Sequence, residues 1–180
     1  MTRLWKPSTR PPRRARSVDL VARAVLIGIG ATIVMDLWTV LRKRVFGIAS
    51  LDYRMLGRWI GNLPRGQFVH DKIGAATPVR GELIIGWCAH YAIGITFALL
   101  LLILWGPDWA RHPTPLPAMV AGVLTVIAPL FILQPAMGAG IAASRTPQPN
   151  TARLRSVITH TVYGIGLYLS ALLWSLVMPL

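Results

Sequence analysis

The sequence is poor in acid, with six Asp and Glu among 180 residues against nineteen Lys and Arg. It is also poor in charge overall, since charged side chains make up 14% of the chain against about a quarter in soluble proteins. A single cysteine, Cys88, excludes an intrachain disulfide framework and a thiolate metal cluster; within its apolar run it reads as a small buried hydrophobe. Soluble-enzyme signatures are missing too. There is no phosphate-binding glycine loop, nucleophile elbow, zincin helix or dinucleotide fingerprint. His70, beside Asp71, and His112, before Pro113, read as solvated loop residues.

What fills the chain is apolar, 54% of it, in four runs long enough to cross a bilayer as helices. The expected spans are about 18–41, 81–105, 116–140 and 156–178, which together predict an all-α polytopic membrane protein, a bundle of four transmembrane helices forming one domain over residues 18–180. Residues 1–17 carry six Lys and Arg and three Pro and read as a disordered basic tail. The apolar stretch from Val18 to Leu41 is too long for a cleaved leader and is expected to be retained, with Arg23 snorkelling at one end and Arg42, Lys43 and Arg44 stopping it at the other. Pro129 and Pro135 should kink the third span and unwind its end. The net charge of +13 lies in the tail and in loops, where it meets lipid headgroups, so nucleic acid is not an expected partner.

About forty residues separate the first two spans. Within them Ser50 is placed to cap a helix whose Leu51, Met55, Leu56, Trp59, Ile60 and Leu63 share one face and whose Asp52, Arg54, Arg58 and Asn62 share the other. Such a pattern predicts an interfacial amphipathic helix, or one packed on the bundle. An even number of spans puts the first and third loops on one face, here called the loop face. It holds eleven Lys and Arg against eight on the face of the termini, and the two counts do not set the orientation.

Ionisable groups inside a bilayer need a partner or a purpose. Asp36 lies about 9 Å from the loop-face end of the first span, Glu82 opens the second, His90 lies about 12 Å deeper, and His160 enters the fourth. Gln134 adjoins the Pro135 break. Residues four apart line one side of a helix, and three such rows mix small and polar residues: Gly28, Thr32 and Asp36; Glu82, Gly86, His90 and Gly94; Ser156, His160, Gly164 and Tyr168. These rows are the expected inward faces. One reading makes them packing seams with Gly28, Gly86, Gly94 and Gly164 at the closest approaches. A second has His90 and His160 ligating a haem among the glycines, a third has Asp36, His90 and His160 holding a divalent metal, and a fourth makes the polar groups a proton relay or substrate pocket. The Gly- and Pro-rich segment 134–149 is expected at the mouth, with Arg145 pairing with Asp36 or Glu82 or binding an anion; its alternative is a helix end and turn.

The runs Gly28-Ile-Gly-Ala-Thr-Ile-Val-Met-Asp-Leu-Trp38, Gly57-Arg-Trp-Ile-Gly61, Arg80-Gly-Glu82, His90-Tyr-Ala-Ile-Gly94, Gln134-Pro-Ala-Met-Gly138 and Ala143-Ser-Arg-Thr-Pro147, with Asp52-Tyr53 and Pro64-Arg-Gly66, resemble a bacterial inner-membrane family catalogued as domain of unknown function 2938. The resemblance spans the chain after the basic tail, which departs from the shorter starts of that family. It implies a multi-pass protein of the bacterial cytoplasmic membrane and carries no activity, cofactor or partner with it. The expected function class is non-enzymatic: a small transporter-like or binding protein, or an accessory subunit that meets a membrane-protein partner or its own copies. The alternative is a haem- or metal-binding protein using His90 and His160.

Overall fold

The computed structural model describes residues 13–48 and 51–177. Six α-helices run through it: α1 (Arg13–Phe46), α2 (Tyr53–Asn62), α3 (Glu82–Trp105), α4 (Pro115–Leu124), α5 (Gln134–Ala136) and α6 (Pro149–Val177). No strand occurs among the described residues. Four segments are long and apolar enough to cross a membrane: Val18–Phe46, Glu82–Trp105, Pro115–Ala136 and Pro149–Val177. The chain is therefore all-α with four candidate spans.

Two span ends differ from the sequence expectation. Helix α1 starts at Arg13 and continues through Arg42, Lys43 and Arg44 to Phe46, because long basic side chains do not break a helix; Gly47, at φ 65°, ends it with its amide on the Lys43 carbonyl. The last residues of the basic segment are thus helical, and residues 1–12 lie outside those described. Helix α6 begins at Pro149, whose missing N–H costs nothing in a first turn. Arg23 does not snorkel. It is 3% exposed and pairs with Asp19 one turn earlier at 3.1 Å.

The third span breaks where proline requires it. Pro129 has no amide to offer, so the turn before it closes by Ala128 N–H donating to Thr125 O, and the chain then widens into one π-turn in which Gln134 N–H donates to Pro129 O. After α5 the backbone leaves helical geometry altogether, with Ala142 and Ala143 at φ 49° and 61°. This segment receives the first loop: His70 N–H donates to Ala136 O at 2.9 Å and Ile73 N–H to Met137 O at 3.1 Å. The first and third loops are therefore on one face and in contact.

Small residues set the packing. Helix α1 lies between α3 and α6, α4 packs on the far side of α6, and α2 packs on α3. Gly28 sits over the backbone of Ile95 and Gly94, Gly166 over Ala31, and Gly122 over Gly164, so backbones touch where a side chain would hold them apart. Around these approaches Ala24, Ile27, Leu101, Leu102, Leu167 and Ala171 form the core. Leu37, Ile84, Leu104 and Leu116 point outward at 63–74% exposure, the inverse of a soluble surface and the pattern expected of lipid-facing helices.

Candidate functional site

Three helices converge on the Asp36 carboxylate. Asp36 projects from α1, and Oδ1 accepts a hydrogen bond from the Tyr53 hydroxyl of α2 at 3.1 Å. Oδ2 accepts one from the Tyr91 hydroxyl of α3 at 3.2 Å. His90 Nε2, also from α3, lies 3.0 Å from Oδ1 and 2.9 Å from the Tyr53 oxygen. An ionised carboxylate can only accept, and Tyr53 gives it its single proton, so the consistent assignment places the His90 proton on Nε2, shared between Oδ1 and the phenol oxygen. Trp87 closes the cluster, its ring 4.3 Å from Tyr53 and 5.8 Å from His90 between centroids. Burial above all, and then the Asp36 charge and hydrogen bond, push the Tyr53 phenol above its usual pKa, so it remains a donor.

The register of α2 on α3 produces this meeting. Asp52 caps α2, accepting from Arg54 N–H at 3.0 Å; the expected cap, Ser50, lies outside the described residues. Gly57 of α2 lies against the Glu82 carbonyl and Gly86 of α3 against the Tyr53 carbonyl, and this close approach brings the Tyr53 ring over His90. A second polar clamp fixes the same pair of helices. Arg58 donates through Nε and Nη2 to the two oxygens of Glu82 at 2.8 and 2.9 Å, and through Nη1 to the Gly74 and Ala76 carbonyls at 3.1 Å each. The hydrogen bonds to Glu82 push the Arg58 pKa up, against the opposing effect of burial. Val79 N–H donates to Glu82 as well, at 3.1 Å.

This arrangement revises the reading of α2. Arg58 and Asn62, expected on an outer polar face, are buried, and the inward face is Leu56, Gly57, Arg58 and Asn62. Helical periodicity located the charged stripe but could not show that Glu82 waits opposite it. Glu82 is thereby engaged, as is Asp36, and Arg145, exposed on the third loop, pairs with neither. Cys88 is exposed, since it lies between Gly86 and His90 in sequence and these face inward. His70 is half-buried, and its two ring nitrogens are shielded without a partner among the described residues.

His160 belongs to a different seam. The Thr125 hydroxyl donates to Gly122 O at 2.6 Å, and His160 Nδ1 lies 2.7 Å from the Thr125 hydroxyl oxygen, so Nδ1–H is the donor there. Gln134 Nε2 reaches Ser156 Oγ at 3.4 Å, while its Oε1 has no partner among the described residues. The three expected rows are thus inward, but on separate contacts: Asp36 and His90 between α1 and α3, His160 between α6 and α4. The residues do not fit a haem. Gly86, Gly94 and Gly164, expected to make room for one, are filled by the Tyr53 carbonyl, the Thr32 hydroxyl and the backbone of Ala118 and Met119. Nor do three or more His, Cys, Asp or Glu side chains converge as metal ligands among the described residues.

Residues 25–174 match the family described as a protein of unknown function, DUF2938. The chain belongs to this family. No curated protein and no solved structure matches it. The matched range includes every residue of the Asp36 cluster and both members of the Arg58–Glu82 clamp. Tyr53, Trp87 and Tyr91 are the cluster members that sequence reasoning passed over. For two of them a signal was present: Trp87 lies three residues before His90 and four before Tyr91, so it neighbours both along α3.

Proposed function

We propose that this family member is a non-enzymatic integral membrane protein, a small binding or transporter-like component, in which the Asp36–Tyr53–His90–Tyr91 cluster is a hydrogen-bonded latch holding α2 on the spans. One observation carries the reading: a single carboxylate at membrane depth receives hydrogen bonds from three side chains on two other helices. The Tyr53 hydroxyl is the one side chain of α2 that reaches this carboxylate, so α2, which does not span, is the element released when that bond is broken. In the reading's natural setting, the bacterial cytoplasmic membrane, the latch faces the solution on the loop side.

The test is a spin label on α2, introduced as Arg54→Cys with Cys88→Ser, in the full chain reconstituted in lipid. Its mobility should rise in Asp36→Ala, which removes the carboxylate, and in Tyr53→Phe, which removes the hydroxyl that ties α2 to it. A label whose mobility neither substitution raises sinks the reading. An accessory-subunit role is the second reading, favoured by seams closed by backbone contact at Gly28, Gly122 and Gly166, which leave a substrate no passage along them. Purification in mild detergent should then recover a partner in stoichiometric amount, and recovery always alone counts against it.

A further inference from the structure

Acid is scarce in this chain, and its six carboxylates can be followed one by one. Asp19 pairs with Arg23, Asp36 takes Tyr53, His90 and Tyr91, Asp52 caps α2, Glu82 takes Arg58, and Asp108 pairs with Arg111. Asp71 is exposed on the first loop. None of them reaches Arg42. Yet among the described residues Arg42, near the loop end of α1, is 9% exposed, its Nε is shielded without a partner, and its one hydrogen bond is from Nη1 to the Thr159 hydroxyl at 3.4 Å. Thr159 in turn donates to the Arg155 carbonyl one turn earlier on α6, so the charged residue next along that side of the helix is Arg155, of the same sign.

A buried guanidinium beside a second cation is among the more costly arrangements a protein can hold, unless an anion completes it. Trp38 Nε1, one turn earlier on α1, is another shielded donor without an acceptor among the described residues, which are short of acceptors here rather than donors. Arg155 also lines an open depression with Thr146, Gln148 and Thr151, which sets further hydroxyl and amide groups beside its guanidinium. We propose that Arg42 and Arg155 form a binding site for a phosphate-class anion at the loop end of α1 and α6. Planar guanidinium groups suit phosphate oxygens, and a site at the end of a span is where a phospholipid headgroup would lie.

The full chain, delipidated in zwitterionic detergent, is titrated with short-chain phosphatidylglycerol, with phosphatidylcholine and with inorganic phosphate, reading thermal unfolding and, by native mass spectrometry, retained lipid. Phosphatidylglycerol should raise the unfolding temperature and phosphatidylcholine should not. Arg155→Gln, at an exposed position, and Arg42→Gln should each weaken binding by about tenfold or more, the worth of one charge-assisted contact. Arg111→Gln removes an equal charge from the other end of the molecule and should leave binding within about twofold, since exposed distant charges are screened. Protection by inorganic phosphate as well identifies a soluble phosphate compound as the source, and protection by the lipid alone identifies a headgroup. No protection by either probe, or equal weakening by Arg111→Gln, overturns the proposal.

Discussion

Gly57→Ala is the substitution whose effect the structure specifies best. A methyl group there would fall on the Glu82 carbonyl and within 2.8 Å of the Gly86 amide nitrogen. The obstacles are backbone atoms, so no rotamer change relieves them and α2 must lift away from α3. Overpacking of this kind costs about 1–3 kcal/mol. Against it, Ala in a helix recovers roughly 0.5–1 kcal/mol over Gly. Lifting α2 also stretches the Tyr53–Asp36 bond, and an interhelical bond in a membrane protein is worth about 0.6 kcal/mol. The steric term wins, leaving a net loss of about 1–3 kcal/mol, or roughly 3–10 °C in unfolding temperature for a chain of this size. Tryptophan-monitored thermal unfolding in detergent reads it. Gly86→Ala meets the Tyr53 carbonyl in the same interface, so the double variant should cost less than the two single costs added, because one displacement relieves both. Gly74→Ala, with nothing within 4 Å, is the control and should stay within about 0.5 kcal/mol. Unchanged stability in Gly57→Ala, or strict additivity in the double, would refute the close approach of α2 and α3.

Three further outcomes follow. Arg58→Ala and Glu82→Ala should each lower the unfolding temperature, and the double should be no worse than the poorer single, because an unpaired buried charge is what destabilises; a double as damaging as the sum would contradict this. Because burial raises the Tyr53 pKa in the folded protein, its contribution to stability is complete below about pH 10, the usual phenol value, and falls as pH rises above it. At pH 11 the native protein and Tyr53→Phe should then show equal phenolate absorbance, and an excess of one tyrosinate in the native protein would show the phenol unprotected. Since the glycine sites are filled, oxidised and reduced absorption spectra of the purified protein should lack a Soret band, and a band lost on replacing His90 or His160 would reverse that conclusion.

The spans and inward faces were legible because burial in lipid leaves only two local signals to read, apolar length and the spacing of small and polar residues. Gly28, Thr32 and Asp36 point one way for the same reason that any residues four apart do. Which row meets which was not legible, since it depends on helix order: Asp36 meets His90, while His160 meets Thr125, a residue with no distinguishing pattern. Arg58 shows the limit from the other side. On a helix that does not span, a polar stripe looks the same whether it faces water or a buried acid twenty-four positions away, so periodicity alone points the stripe outward. The aromatic members of the cluster were hidden in an apolar count, where a tyrosine's hydroxyl does not register.

The latch is tested most directly by a double-mutant cycle between α1 and α2. Asp36→Ala, Tyr53→Phe and their combination are compared by reversible unfolding in one detergent. The account predicts a coupling of about 0.5–1.5 kcal/mol, the range of measured interhelical hydrogen bonds in membranes and of residues in contact. Additivity to within about 0.3 kcal/mol, the behaviour of residues that do not touch, would mean that Asp36 does not hold α2.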